Sequence, residues 1–372
     1  MSGNSRLQTT AFPFRFRWRT RFLALVVLLI VGSVRPGPLL AQQPPPPAVE
    51  DQSREAINAD IVTRMIALER ERLERLTRLA ARQPLQEAYA TYEELFRLAI
   101  ANNLYRFAEP AAERLLTTKD LPANLQLLAG AVNIIGEADR GDYEESYSSL
   151  KTLVQSGASN PAAPVGEVSV TTALAVIEAY YQRLMRSNQL TVARKALEML
   201  IGAARMPEVR AYAENRLGRL KLVGQNAPPI QGADLDGKPV DPKALQGRVV
   251  LLIFWATWHA PDLENIRRAE EILAKYQSQG LSIVGINVDG LDEKAGGEAA
   301  VREDVKKYLL DYNITWPNVL ARRGPGNTAE AYHVQEIPAL VLIGRDGKVV
   351  HPDLFKESAL EVVLEALKAP PR

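Results

Sequence analysis

From Ser53 to about Leu222 the apolar residues recur at three- and four-residue steps, the period of a helix with one buried face. Ile57, Ile61, Met65, Leu68, Leu76 and Leu79 define the first stripe, with Arg and Glu between them, Ser53 as N-cap and Pro84 as the break. Helical stretches then alternate with short polar turns. Leu85 to Ala101 precedes Asn102-Asn103 and Leu104 to Thr118; Ala123 to Ala138 precedes Arg140-Gly141-Asp142 and Tyr143 to Val154; Thr171 to Met185 and Val192 to Ala204 flank Ser187-Asn188. Asn160 to Pro164 reads as a loop, and the acids and bases of this half read as solvated helix faces.

Near Val223 the pattern changes. Gly, Pro and Asp-Gly turns replace the helical period, and Arg248 to Thr257 (RVVLLIFWAT) is a continuous apolar run, expected of a strand buried on both faces. Leu263, Ile266, Ala269, Leu273 and Tyr276 give a helix closed by Gly280. A second buried strand over Leu281 to Val288, an acidic insert, a helix near Val301 to Tyr312 and an extended Ile314 to Leu320 follow. Ala339 to Ile343 and Lys348 to Val350 flank Arg345-Asp346-Gly347, a hairpin signal. The expected architecture is two-domain: an all-α helical-hairpin domain over 53–222, then an α/β domain over 223–372.

The start of the chain is different again. Five arginines precede Phe22 to Val34 (FLALVVLLIVGSV), an apolar run of 13 residues, whereas crossing a bilayer takes about 20. Residues 1–41 therefore read as a signal peptide, with Ala41 as the cleavage residue, and an uncleaved membrane anchor as the alternative. The proline-rich stretch 42–52 (QQPPPPAVEDQ) reads as an extended linker. All six basic residues before Ala41 belong to the leader, so the remainder carries 39 basic against 44 acidic residues; this argues against a nucleic-acid partner.

Composition contributes one decisive fact: none of the 372 residues is cysteine. Disulfides, thiolate nucleophiles, Cys-ligated zinc and iron–sulfur clusters are thereby excluded.

The order "VGQNAPPIQGADLDGKPV", "VVLLIFWATWHAPD", "SIVGINVD", "YHVQEIPALVLIGRDGKVV" resembles the thioredoxin-like fold of TlpA/ResA-type thiol-disulfide oxidoreductases, extracytoplasmic proteins related to the AhpC/TSA and redoxin groups. In that family a strand ends in W-C-x-P-C, and a cis-proline faces the two cysteines. The resemblance places Trp258 at the tryptophan, Pro261 at the intervening proline and Pro338, after Ile337, at the cis-proline, while His259 and Asp262 occupy the cysteine positions. Asn265 and Arg267 depart from the family's helix as well. In the helical half, GDYEESYSSLKTLV resembles the second helix of a tetratricopeptide repeat.

Imidazole and carboxylate cannot perform thiol-disulfide exchange, which needs a thiolate attacking a disulfide. The catalytic positions are thus degenerate, and no cofactor is implied. The expected role is that of an exported, redox-inert binding or scaffold module for a protein or peptide of the cell envelope, docked at Trp258, Pro261, Ile337 and Pro338. The alternative is a metal-binding module using His259, Asp262 and, as a third ligand, His333.

Overall fold

The computed structural model describes residues 54–158, 169–238, 240, 245–292, 297–324, 327–354 and 356–370. The expected leader, the whole proline-rich linker and the Asn160–Pro164 loop lie outside the described residues. No described helix is long and apolar enough to cross a membrane.

The chain divides into two compact units, Met1–Ala67 and Leu68–Arg372. The division falls inside α1 (Arg54–Ala80). In the first unit the described part of this helix leaves Ile57, Ile61, Val62, Met65 and Ile66 exposed, and Arg64 pairs with Asp60 at 2.9 Å. In the second unit the buried α1 residues are Leu73 and Ala80, whereas Leu68 and Leu79 are exposed. The stripe expected to face the core is therefore largely exposed. Leu73 and Ala80 lie on a different face of the helix, and periodicity alone does not say which face finds a partner.

Within Leu68–Arg372 the helices α2 (Leu85–Ala101), α3 (Tyr105–Leu116), α4 (Ala123–Arg140), α5 (Tyr143–Ala158), α6 (Val170–Arg186) and α7 (Leu190–Ala203) follow the expected boundaries to within a few residues, and α8 (Pro207–Lys221) is a further helix in the same region. The turns explain why. Asn103 and Asn188 adopt left-handed φ of 57° and 54°, and Gly141 one of 93°, so each reverses the chain between antiparallel helices. Contacts run from α2 to α4, α4 to α6 and α6 to α8, with α5 against α7, giving stacked hairpins over one core. Not every charge is solvated, contrary to expectation. Glu109, Glu137, Arg216 and Arg219 are buried, each with a hydrogen-bonded or ionic partner.

The α/β part is a five-stranded mixed sheet in the order β3-β2-β1-β4-β5. Its strands are β1 (Val249–Trp255), β2 (Leu281–Asn287), β3 (Asn318–Leu320), β4 (Ala339–Ile343) and β5 (Val349–His351). Every residue of β1 is buried, as its unbroken apolar run requires of a central strand with both faces covered. It pairs parallel with β2 and antiparallel with β4, while β3 adds parallel to β2. Helices α9 (Ala260–Tyr276), α10 (Glu298–Asp311), α11 (Thr328–Ala331) and α12 (Lys356–Lys368) complete it. Directly after α8 the chain reaches the sheet, where Val223 bridges to Val349 of β5.

Candidate functional site

The parallel strands β1, β2 and β3 end at the same edge of the sheet, and β4 begins there. In open α/β sheets this is where ligands bind. The register Phe254↔Ala339 sets the Ile337–Pro338 peptide, which is cis, beside the segment that leaves β1.

That segment, Ala256 to His259, is held from below. Asp289, just beyond β2, accepts from the Thr257 amide at 3.1 Å and from the Thr257 hydroxyl at 2.8 Å. Its own amide donates to Asn287 Oδ1 at 3.1 Å. Burial pushes the Asp289 carboxyl up from its ordinary range, and the bonds from Thr257 and Asn287 pull partly against it. Trp255 belongs to this floor: it is buried, its indole N–H donates to Asn318 Oδ1 at 3.0 Å, and its ring lies 5.2 Å from that of Tyr308. It is scaffold and presents no contact surface, unlike Trp258.

Trp258 is 41% exposed. Its ring meets that of His259 edge-on, with centroids 6.0 Å apart at 79°. The His259 amide donates to Ala256 O at 3.3 Å, and the residue occupies the N-cap of α9 without a side-chain capping bond. Pro261 lies in the first turn of α9, where a missing N–H costs nothing. Asp262 follows in the same turn. The side chains of Pro261 and Asp262 lie outside the described residues.

Ile337 is half-buried and Pro338 exposed, across from the end of β1. His333, the third expected metal ligand, points elsewhere. With φ at 54° it turns its ring onto α8, where a Cβ at Gly218 would come within 2.7 Å of the imidazole. Burial lowers the His333 pKa, and the neighbouring Arg219 adds to this. Among the described residues no group of three or more His, Asp or Glu could hold a metal ion.

Several contributors escaped the sequence reading. Asp289 sits in SIVGINVD with no spacing that marks it as a loop anchor. Glu336 precedes the Ile337–Pro338 pair and accepts from Arg216 of α8 at 3.0 Å. Asp353, beyond β5, takes both Arg216 and Arg219. Arg216 and Arg219, three residues apart on a polar helix, look like a solvated face until their partners are known.

Residues 223–352 match the profile of the AhpC/TSA family. Thiol-disulfide oxidoreductase ResA of Bacillus thuringiensis is 27% identical over 184 residues, covering 50% of this chain and 98% of the relative. ResA of Geobacillus thermodenitrificans is 32% identical over 127 residues, 34% of this chain and 66% of that one. Among solved structures, the thioredoxin domain of a thiol-disulfide oxidoreductase from Bacteroides vulgatus is 23% identical with a TM-score of 0.34, covering 39% of this chain and 98% of its own. A thioredoxin-family thiol:disulfide interchange protein from Chlorobium tepidum is 25% identical with a TM-score of 0.31, covering 38% and 95%. The carboxy-terminal domain is a thioredoxin-like, AhpC/TSA-type domain similar to the ResA thiol-disulfide oxidoreductases, in a chain that has no cysteine.

Proposed function

We propose that this chain is an exported, redox-inert thioredoxin-like protein that docks an extended segment of an envelope protein or peptide along its Trp258 and Ile337–Pro338 edge. The observation that carries the reading is an exposed Trp258 after β1, at the sheet edge where the Ile337–Pro338 segment enters β4, in a chain with no cysteine. The thioredoxin-like fold is present without the sulfur that would turn over a bound substrate, which supports binding without turnover. An exposed aromatic beside an apolar loop is a place for a partner's side chain, with backbone hydrogen bonds supplying sequence-tolerant affinity. Export is supported by the arginine-rich leader with its apolar run over 22–34, and by the resemblance to extracytoplasmic relatives. The stacked hairpins support a tetratricopeptide-like array over a plain bundle, and such an array would add a second contact surface.

Two measurements on the purified chain test this. In an insulin-reduction assay the protein should leave the rate at the level of the blank; turnover above it would remove the redox-inert part. Fluorescence anisotropy with labelled, carboxymethylated lactalbumin as an unfolded probe should show saturable binding that Trp258→Ala and Ile337→Asp each weaken at least about tenfold. Equal affinity in both variants would remove this edge as the docking site.

A further inference from the structure

The loop that carries the cis-proline is gripped from behind by the last helix of the helical region. Four positions on one face of α8 address it. Asn215 Nδ2 and Arg219 Nε each donate to the His333 carbonyl at 3.0 Å. Gly218 leaves room for the His333 ring to lie on the helix. Arg216 reaches Glu336, the residue directly before Ile337, at 3.0 Å.

Arg216 is the centre of this junction and is itself 6% exposed on its side chain. Nη2 also donates to Glu178 of α6 at 2.9 Å, Nη1 to Asp353 at 3.2 Å, and Nε to the Tyr212 hydroxyl at 3.1 Å. The guanidinium lies 5.3 Å from the ring centre of Tyr181 and 5.1 Å from that of Tyr212. A planar fork with five donors can join a helix, a neighbouring helix, the end of β5 and the loop at once; a lysine ammonium cannot. Glu336, by contrast, is 69% exposed, so its place in the cluster is not imposed by burial.

We propose that α8, through Arg216 as a positioning residue, sets the conformation of the Glu336–Ile337–Pro338 loop, so that the helical region is a working part of the docking site. The use of the loop for docking rests on the function proposed above; its placement by α8 does not. Tyr332 and Val334, at the start of the segment between α11 and β4, are held by Pro228 and Ala329, whereas His333 and Glu336 are anchored by α8, which itself packs among the stacked hairpins. Loss of the anchors should loosen the loop and leave the helix as it was.

The test uses the full chain without ligand. Asn215→Ala combined with Glu336→Ala strips two loop contacts from accessible positions and keeps the buried Arg216–Asp353 pair, so folding is retained. Hydrogen exchange of the amides over 334–339 should accelerate about tenfold or more, with the amides of α8 unchanged; Arg216→Lys should do the same where it folds. Exchange over 334–339 equal to the wild type would overturn the proposal. The same double variant should bind the unfolded lactalbumin probe more weakly, and unaltered affinity alongside a loosened loop would equally overturn the positioning role. If the wild-type chain fails to bind that probe, the docking function falls and the exchange rates alone decide whether α8 positions the loop.

Discussion

Arg219 Nη1 lies 2.9 Å from Asp353 Oδ2, with both side chains buried, so an ion pair closed to solvent ties the helical region to the α/β domain. Arg216 joins the same carboxylate oxygen at 3.2 Å. A pair of this kind contributes little net stability against an apolar replacement, yet removing one partner strands the other charge in a dry site. Asp353→Ala should therefore cost about 3–5 kcal/mol, the scale for breaking a buried pair, read as a shift in the urea midpoint. Asp353→Leu combined with Arg219→Met should recover part of the loss. A single-variant cost below about 1 kcal/mol would mean that water reaches the junction and that the pair behaves as a surface one.

The junction also marks the limit of what the sequence discloses. Strand β1 was legible because seven consecutive apolar residues have no other stable place than the middle of a sheet. The hairpin turns were legible because Asn and Gly tolerate left-handed backbone. The site's visible members, Trp258, His259, Ile337 and Pro338, came from motif order. Its supports did not. Asp289, Glu336 and Asp353 acquire meaning only from partners 32, 120 and 137 residues away, and a single chain carries no local trace of such pairings. The exposed stripe on α1 failed for the converse reason: its period is helical, but nothing in it says which face is covered.

His351 makes the junction sensitive to acid. It is buried on β5, and the Asp353 amide donates to its Nδ1 at 3.3 Å, so that nitrogen is held as an acceptor. Burial lowers its pKa from the ordinary 6.5, against the opposing influence of the Asp353 carboxylate and the Met185 carbonyl. A histidine whose folded pKa is depressed stabilises the fold above its unfolded pKa, and that contribution is lost as pH falls through 6.5 toward the folded value. The urea midpoint should fall between pH 7 and pH 5 in the wild type and fall less in His351→Gln. Parallel pH profiles for the two proteins would show that folding does not shift the titration of His351.

Glu137 in α4 predicts the opposite sign. Burial raises its carboxyl pKa, although Asn133 Nδ2 and Ser149 Oγ donate to Oε1 at 2.8 and 3.0 Å. Its Oε2 is buried with no hydrogen-bond partner. Stability from a carboxyl of this kind is fully present below the unfolded pKa and is lost as pH rises through the folded one. Glu137→Gln keeps an acceptor for both donors and removes the buried charge. The variant should melt higher than the wild type at pH 7.5, with the gain shrinking toward pH 4. A lower melting temperature at pH 7.5 would show that the charge is stabilised by its surroundings after all.

Gly285, in the middle of β2, leaves room for the Trp255–Asn318 hydrogen bond by having no side chain. A Cβ built there would lie 1.8 Å from Asn318 Oδ1 and 3.0 Å from Trp255 Nε1, the two atoms that hydrogen-bond to each other. Gly285→Ala must push Asn318 aside, which leaves the buried indole N–H unpaired. Overpacking costs about 1–3 kcal/mol and an orphaned buried donor about 1–3 kcal/mol, so the sum should be about 4 kcal/mol in chemical denaturation. Asn318→Ala orphans the same N–H but opens space, and should cost about 2 kcal/mol on the same scale. The two losses share one hydrogen bond and Asn318→Ala removes the atoms that a Cβ at 285 would meet, so the double variant should be no less stable than Gly285→Ala alone and close to Asn318→Ala. Additive costs would show that Gly285 and Asn318 act on separate parts of the domain, and that the Trp255–Asn318 bond is not what the glycine protects.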